Sequence, residues 1–512
     1  MLAKVHAFVL QGIDALPCEV EVDHAERAEA GPKPTIVGLP DTAVKESLDR
    51  IRAALFNCGY GFPDGRLVIN LAPADLKKEG NALELPIALG LLAVNRILRG
   101  DKHKKFLVAG ELALDGRLRP IKGALSMAML AKANHMEGVL LPPDNAPEAA
   151  VVPGVAVYSI GSLSELVGFL NGELPLEPHQ LDEASIDPSI ASNGMDFAEV
   201  RGQELAKRAL TISAAGRHNL LLLGPPGAGK TMLCQRLPSI LPPLTRQEAL
   251  ETTRIYSACG LMPKGEALIR TRPVRSPHHT ASGPSVIGGG SIPRPGEVSL
   301  SHNGILFLDE LPEFPRHVLE VLRQPLESGT VTISRAHSSL NFPARFMLVA
   351  AMNPSHSGKG TLDPRNASAV ELAAMDRYIS KISGPLFDRI DIHLEVPAVT
   401  YKDLTSKHEG TNSATMRKQV MQAIHIQRER FPKESTITNA TMPKQEIEKH
   451  CQLDSAGQAL MKQAMEELGL SARAFDKVRK VARTIADLEG SEGISAAHVS
   501  EAIQYRLLDR RW

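Results

Sequence analysis

Gly224-Pro-Pro-Gly-Ala-Gly-Lys230-Thr231 sits directly after four leucines, Leu220–Leu223, and directly before Met232–Leu237. The leucine run reads as a buried strand, and the segment after Thr231 can open a helix. Between them the residues match G-x-x-x-x-G-K-[ST], in which glycines let backbone N–H groups turn inward around phosphate oxygens. Gly224, Pro225, Pro226, Gly227, Ala228 and Gly229 form that expected cradle. Lys230 would bring a point charge to the β- and γ-phosphates, and the Thr231 hydroxyl would join the shell of a Mg²⁺ ion. The expected ligands are ATP and Mg²⁺. A chance glycine turn is the bland alternative, and the strand and helix on its flanks argue against it.

Further along, Ile305-Leu-Phe-Leu308 is an apolar strand that ends on Asp309-Glu310. In phosphoryl transfer the first acid orients Mg²⁺ and the second polarises the attacking water. Alone, such a strand end reads as a solvated turn; the upstream loop gives it a function. The 78 positions between Thr231 and Asp309 exceed what one helix and one strand need, so an insertion is expected there. A third strand, Met347–Ala351, leads to Asn353-Pro354, where the amide can bond the γ-phosphate or the water. Without the other two motifs, Asn353 would be a turn cap.

At about 150 residues per domain, 512 residues suggest three or four domains. Apolar residues at 43% and charged residues at 23% describe a soluble globular chain. Lys plus Arg and Asp plus Glu both number 58, which excludes bulk positive charge as the means of holding nucleic acid or membrane. The charge is uneven, −9 over residues 1–200, +6 over 201–400 and +3 over 401–512. No apolar run approaches the roughly 18 residues of a membrane span, and the first ten residues do not read as a signal peptide. Five scattered cysteines without a C-x-x-C pair suggest reduced thiols in a cytoplasmic protein. Aromatics, at 4%, offer little for base stacking.

Pro175, Pro178 and Pro188 mark residues 174–194 as a linker. Before it, β-like runs (Leu67–Leu71, Phe106–Val108, Val139–Leu141, Val155–Ile160) alternate with helical ones (Thr42–Cys58, Glu84–Arg99, Ala124–Asn134), predicting an α/β domain over 1–173. A second α/β pattern covers 195–400. From 401 to 512 the strand pattern vanishes, and Met416–Glu429, Lys444–His450, Ser455–Glu467, Arg473–Glu489 and Ala496–Leu508 read as helices.

The loop, the Leu-Asp-Glu strand end and Asn353 resemble the Walker A, Walker B and sensor 1 elements of an AAA+ ATPase. Ser276-Pro-His-His-Thr-Ala-Ser282, Gly288-Gly-Gly290, Pro295-Gly-Glu297 and Asn303-Gly-Ile-Leu-Phe-Leu-Asp-Glu-Leu-Pro-Glu-Phe314 narrow the likeness to the magnesium-chelatase-like branch. Asn70-Leu-Ala-Pro-Ala-Asp-Leu-Lys-Lys-Glu-Gly80, Gly110-Glu-Leu-Ala-Leu-Asp-Gly-Arg-Leu-Arg-Pro120 and Ala482-Arg-Thr-Ile-Ala-Asp-Leu488 are similar to the YifB/ComM family. The resemblance spans nearly the whole chain. It implies a Lon-protease-like α/β N-terminal domain, an AAA+ P-loop α/β core and an all-α C-terminal lid. It further implies a homo-oligomeric ring, a hexamer, and action on branched DNA in recombination or natural transformation. In Ser383-Gly-Pro-Leu-Phe-Asp-Arg389, Arg389 matches the arginine finger that reaches a neighbour's γ-phosphate, a donor worth about 10³–10⁵ in rate in related reactions. On the residues alone, an Arg389 paired with Asp388 or Asp391 is the simpler reading. Arg473, in Leu470-Ser-Ala-Arg473, matches sensor 2, with Arg479 and Arg483 as weaker candidates.

Two departures from relatives bear on function. The segment Ser355–Thr361 after Asn353-Pro354 lacks the cysteines many relatives carry, which favours the ComM-like subgroup. Near Lys78-Glu-Gly-Asn-Ala82 there is no nucleophilic Ser, and Ser126 stands where active Lon carries its Lys, so the N-terminal domain reads as non-proteolytic. His278-His279 lacks accompanying carboxylates or cysteines, which disfavours a metal. Arg272 and Arg275, with those histidines, read as an inserted loop facing a pore or a neighbour, and both are candidate DNA contacts. Thr330–Arg335 precedes a turn that puts Arg335 and His337 on a hairpin, a candidate DNA contact or a plain surface hairpin. Three functions remain in view: a DNA-remodelling motor, a protein unfoldase, and a chelatase-type motor subunit, the last fitting the long N-terminal domain poorly.

Overall fold

A computed structural model describes residues 1–25, 34–182, 187, 194–290, 293–335, 338–354, 373, 377–399, 401, 410–432, 437–506 and 508–509. The chain forms two compact units. One comprises Met1–Asp187 with Thr245–Arg270, the other Pro188–Leu244 with Thr271–Trp512.

Alternation builds the first sheet. Leu2–Gln11 (β1) and Asp14–Ala25 (β2) pair antiparallel and bury Ala3, Val5, Ala7, Val20 and Val22. Their outward positions hold Lys4, His6, Glu19 and Glu21, which is why neither strand shows as an apolar run. Thr35–Val37 (β3), Arg66–Ala72 (β4), Phe106–Val108 (β5), Gly138–Leu141 (β6) and Ala156–Ser159 (β7) complete it. The order is β3-β4-β2-β1-β5-β6-β7, with β2 antiparallel to both neighbours and all other pairs parallel.

Thr42–Asn57 (α1) starts on an Asp41 cap, and Glu84–Val94 (α2) is buried along its whole length. A helix apolar all round belongs in a core, and α2 packs so tightly on β2 that a Cβ on Gly90 would stand 2.5 Å from Val22 Cγ2. Ala124–Ala133 (α3) joins a separate apolar cluster with Phe8, Leu107, Val139 and Leu141. The helix Arg246–Cys259, closed by a Thr245–Glu248 capping box, packs here too. Ser257 O accepts from Gly123 N at 3.0 Å, and Arg254 pairs with Asp14. Sequence continuity assigns this helix to the ATPase core; in space it belongs to the first unit.

In the second unit, Leu220–Leu223 (β8), Val274–Arg275 (β9), Ile305–Leu308 (β10), Met347–Met352 (β13) and Ile392–Glu395 (β14) form a wholly parallel sheet, ordered β9-β10-β13-β8-β14. Thr330–Arg335 (β11) and Ser338–Pro343 (β12) make the expected hairpin apart from that sheet. Among the described residues, the C-terminal region holds the helices Ser413–Arg430, Lys444–His450, Ser455–Leu468, Ala472–Leu488 and Ala496–Gln504, each within a few residues of its expected span. Val478, Val481 and Ile485 share one apolar cluster with Leu220, Val349 and Ile392. Parallel sheet and helical C-terminal region together fit an AAA+ magnesium-chelatase-like fold. No described helix is long and apolar enough to cross a membrane.

Candidate functional site

Strand ends assemble the site. β8, β10 and β13 run parallel side by side, so the segments that follow them emerge on one edge of the sheet, where open α/β sheets bind ligands. At the start of the loop, Gly224 lies against β14's exit; a Cβ there would be 2.2 Å from Val396 O. Gly227 and Gly229 have φ of +79° and +84°, the left-handed region that favours glycine. The helix Lys230–Arg236 starts at once.

Lys230 is 8% exposed, and its Nζ donates to Gly224 O at 2.8 Å, Pro225 O at 3.0 Å and Asn353 Oδ1 at 3.0 Å. Burial pulls its pKa down, against the opposing pull of Asp309 and Glu310. Thr231 Oγ1 donates to Asp309 Oδ2 at 2.8 Å, and Glu310 N donates to Asp309 Oδ1 at 2.9 Å. Glu310 has a φ of +52°, an uncommon backbone for a residue other than glycine, and its side chain is exposed. The expected set, Gly224 to Thr231 with Asp309, Glu310 and Asn353, is therefore brought together. A hydroxyl and a carboxylate in mutual contact are hard oxygen donors of the kind that hold Mg²⁺ with substrate phosphates. Among the described residues no three His, Cys, Asp or Glu side chains form a metal cage.

Arg389 and Arg473 lie elsewhere. Asn219, just before β8, donates its side-chain amide to Arg389 O at 3.1 Å, and its backbone N–H bonds Asp391 Oδ2 at 2.9 Å. Both partners thus mark the start of β8, while Gly224 marks its end, four residues or roughly 13 Å away. Arg389 pairs with Glu327 at 2.5 Å, not with Asp388 or Asp391. The hydrogen bond from Arg389 lowers the Glu327 pKa, with Arg389's charge and a smaller pull from Arg473 assisting. Arg389 and Arg473 line one cleft of about 640 Å³ with Arg217, Arg345 and Lys480. Glu327 has no motif in the sequence that could have announced it.

Two expected DNA contacts need correction. Arg272 is 9% exposed, and its guanidinium donates to Pro242 O, Asn303 O and Pro243 O at 2.7, 2.6 and 3.3 Å. A guanidinium spent on buried carbonyls does not face a phosphate. Arg275 forms a bidentate pair with Glu297 at 2.5 and 2.8 Å, so its charge is matched within the chain. The Arg335 side chain and the whole of His337 lie outside the described residues. His278 and His279 stack with ring centroids 4.1 Å apart, and His279 Nδ1 lies 3.4 Å from Glu310 Oε2.

Three family models match the chain: Magnesium chelatase, subunit ChlI, over residues 196–404; Subunit ChlI of Mg-chelatase over 20–145; and Magnesium chelatase, subunit ChlI C-terminal, over 410–506. The Competence protein ComM of Haemophilus influenzae is 44% identical over 99% of this chain and 98% of its own length. The Uncharacterized protein YifB of Escherichia coli is 43% identical, again over 99% and 98%. The Magnesium-chelatase 38 kDa subunit of Rhodobacter capsulatus is 28% identical over 33% of this chain and 52% of its own length. Full-length identity at this level, with the nucleotide-binding motifs assembled on a parallel sheet, leaves one assignment: the chain belongs to the YifB/ComM family of magnesium-chelatase-like AAA+ proteins.

Proposed function

We propose that the chain is a Mg²⁺-dependent ATPase motor that works in the cytoplasm as a ring of identical copies, a hexamer, and drives branch migration of DNA in recombination or natural transformation. The observation that carries the reading is the separation of its parts. Lys230, Thr231, Asp309, Glu310 and Asn353 gather at one edge of the sheet, while Arg389 and Arg473 gather at the start of β8. A complete phosphoryl-transfer site then needs the arginine cleft of one copy against the loop of the next, a head-to-tail contact that closes into a ring.

In that site the loop's N–H groups hold the phosphates, and Lys230 leaves its carbonyl partners for the β- and γ-oxygens. Mg²⁺, held by Thr231 and Asp309, would neutralise charge building on those oxygens. Glu310 accepts the proton of the attacking water, and Asn353 orients it. Arg389 and Arg473 of the neighbouring copy meet the charge of the transition state.

The DNA substrate is supported by the +9 carried by residues 201–512, by the hairpin β11–β12, and by family membership with a protein named for competence. The N-terminal unit, read as Lon-protease-like and non-proteolytic, would bind substrate or organise the ring. Labelled four-way DNA junctions, incubated with and without ATP and with Glu310→Gln as control, test the reading. Strand movement that needs ATP and Glu310 is expected, as is binding that weakens steeply with salt. ATP turnover without binding at low salt or strand movement would redirect the reading to a protein unfoldase.

A further inference from the structure

An arginine finger works only if its guanidinium waits in the right place, because a displacement of about 1 Å can cost about 10²-fold in rate. Arg389 starts from a fixed backbone. Its neighbours Leu386, Phe387 and Ile390 are buried, and Asn219 Nδ2 donates to its carbonyl at 3.1 Å. The same amide accepts at Oδ1 from Leu348 N of β13 at 2.8 Å, so the turn that carries Arg389 is tied to the sheet. What the backbone leaves unset is the long, flexible side chain.

Two acceptors set it. Nη1 donates to Pro385 O at 2.6 Å, within the same turn, and Nη2 donates to Glu327 Oε2 at 2.5 Å, from a different element. Nε is buried and has no partner among the described residues, while the side chain lines the open cleft that also holds Arg473. A terminal guanidinium nitrogen has more than one hydrogen, so Nη1 and Nη2 can keep these bonds and still donate to a phosphate oxygen.

Glu327 is itself anchored. It lies in the helix Arg323–Ser328, which buries Pro325 and runs through Gly329 into β11. Gln324 Nε2 donates to Thr332 Oγ1 at 3.2 Å and Ser328 Oγ to Thr330 O at 3.1 Å, stitching that helix to the base of the hairpin. The Glu327 side chain is 66% exposed and that of Arg389 14%, and a pair this open to water adds little to stability. Its value is geometric.

We propose that Glu327 is a positioning residue for the arginine finger, orienting Arg389 of its own copy toward the γ-phosphate bound by the next copy. The role rests on the head-to-tail ATPase reading and names the acid that aims its finger. A carboxylate suits the task because its bond to a guanidinium is charge-assisted and directional. No bond to Glu327 is made or broken in the reaction.

The test uses the full chain with ATP and Mg²⁺. Glu327→Ala is expected to lower kcat about 10- to 100-fold, the cost of a misplaced group, with KM for ATP changed less than about 2-fold because the phosphate loop is untouched. Its Tm should move by no more than about 2 °C. Glu327→Gln keeps an acceptor at the same reach and should hold kcat within about 5-fold of wild type. Mixed in equal amounts with Glu310→Gln and reassembled, Glu327→Ala should recover about a quarter of wild-type turnover, as the finger of one variant meets the loop of the other. A Glu327→Ala kcat equal to wild type, a Gln variant no better than the Ala variant, or no recovery after verified subunit exchange overturns the positioning role. Full turnover in Arg389→Ala removes the finger reading on which it stands, and a wild-type chain that turns over no ATP removes the ATPase reading itself.

Discussion

Lys230, Thr231 and Asp309 each contact another member of the site, so their losses should differ in kind. Lys230→Ala removes the only cation among the nucleotide-site residues described above and is expected to abolish ATP turnover, as Glu310→Gln should by removing the proton acceptor; unchanged turnover in both would end the ATPase reading. Asp309→Asn removes charge but keeps an acceptor for the Thr231 hydroxyl. It should cost on the order of 10² in kcat, the scale of one lost transition-state stabiliser, and shift the Mg²⁺ titration to higher concentration. Arg272 makes the opposite case. Arg272→Ala leaves buried carbonyls of Pro242 and Asn303 without their donor and should cost about 3 kcal/mol of stability, seen as a lower Tm, with DNA affinity unchanged in the folded fraction. Arg272→Lys should not rescue it, because a point charge cannot replace the planar fork. Gly224 to Thr231 were legible as a group because a phosphate cradle demands particular residue types at fixed spacing. Arg272 was misread because charge in a loop carries no mark of whether the loop is buried.

The seam between the helical region and the sheet is where elements carry a pH dependence. His393 in β14 is buried beside Phe387, with Arg506 Nη1 3.4 Å from its Nε2 and Asp509 Oδ1 3.4 Å from its Nδ1. Burial, reinforced by the Arg506 charge, pushes its pKa down to about 3, so the folded chain keeps the ring neutral. The unfolded chain takes up that proton below about pH 6.5. The sign follows: this contribution is whole above pH 6.5 and is lost as pH falls toward 3. Tm is expected to fall through that window, and to fall less in His393→Gln, in melts taken across pH 4–7. The five expected helices of this region, all found among the described residues, were legible because runs of 7 to 18 residues with a helical period leave a clear pattern. β1 and β2, the two longest strands, were not read, since half-exposed strands with Lys4, Glu19 and Glu21 on the wet face lack the continuous apolar run that betrays Leu220–Leu223.

For the whole molecule, the decisive prediction concerns copies working on each other. Glu310→Gln spoils the loop side of a site and Arg389→Ala the finger side, so each variant alone should be inactive. Mixed in equal amounts and reassembled, they should recover about a quarter of wild-type turnover, because random neighbours restore that share of intact head-to-tail sites. No recovery after verified subunit exchange would place Arg389 outside the reaction. The fold class was readable from motif order and strand pattern, whereas the path of residues 245–270 was not, because nothing in a capped helix states which core will receive it. That path limits how the protein can be cut. A protease site engineered after Asp187 would sever the chain once, yet fragment 1–187 should still co-elute with the rest on gel filtration, parting only in denaturant, because the Arg246–Cys259 helix of the larger fragment is built into its core. By the same logic, expressing residues 195–512 alone strips the cover from Leu250 and Ser257. The motor freed of its N-terminal partner would begin life with a sticky arm.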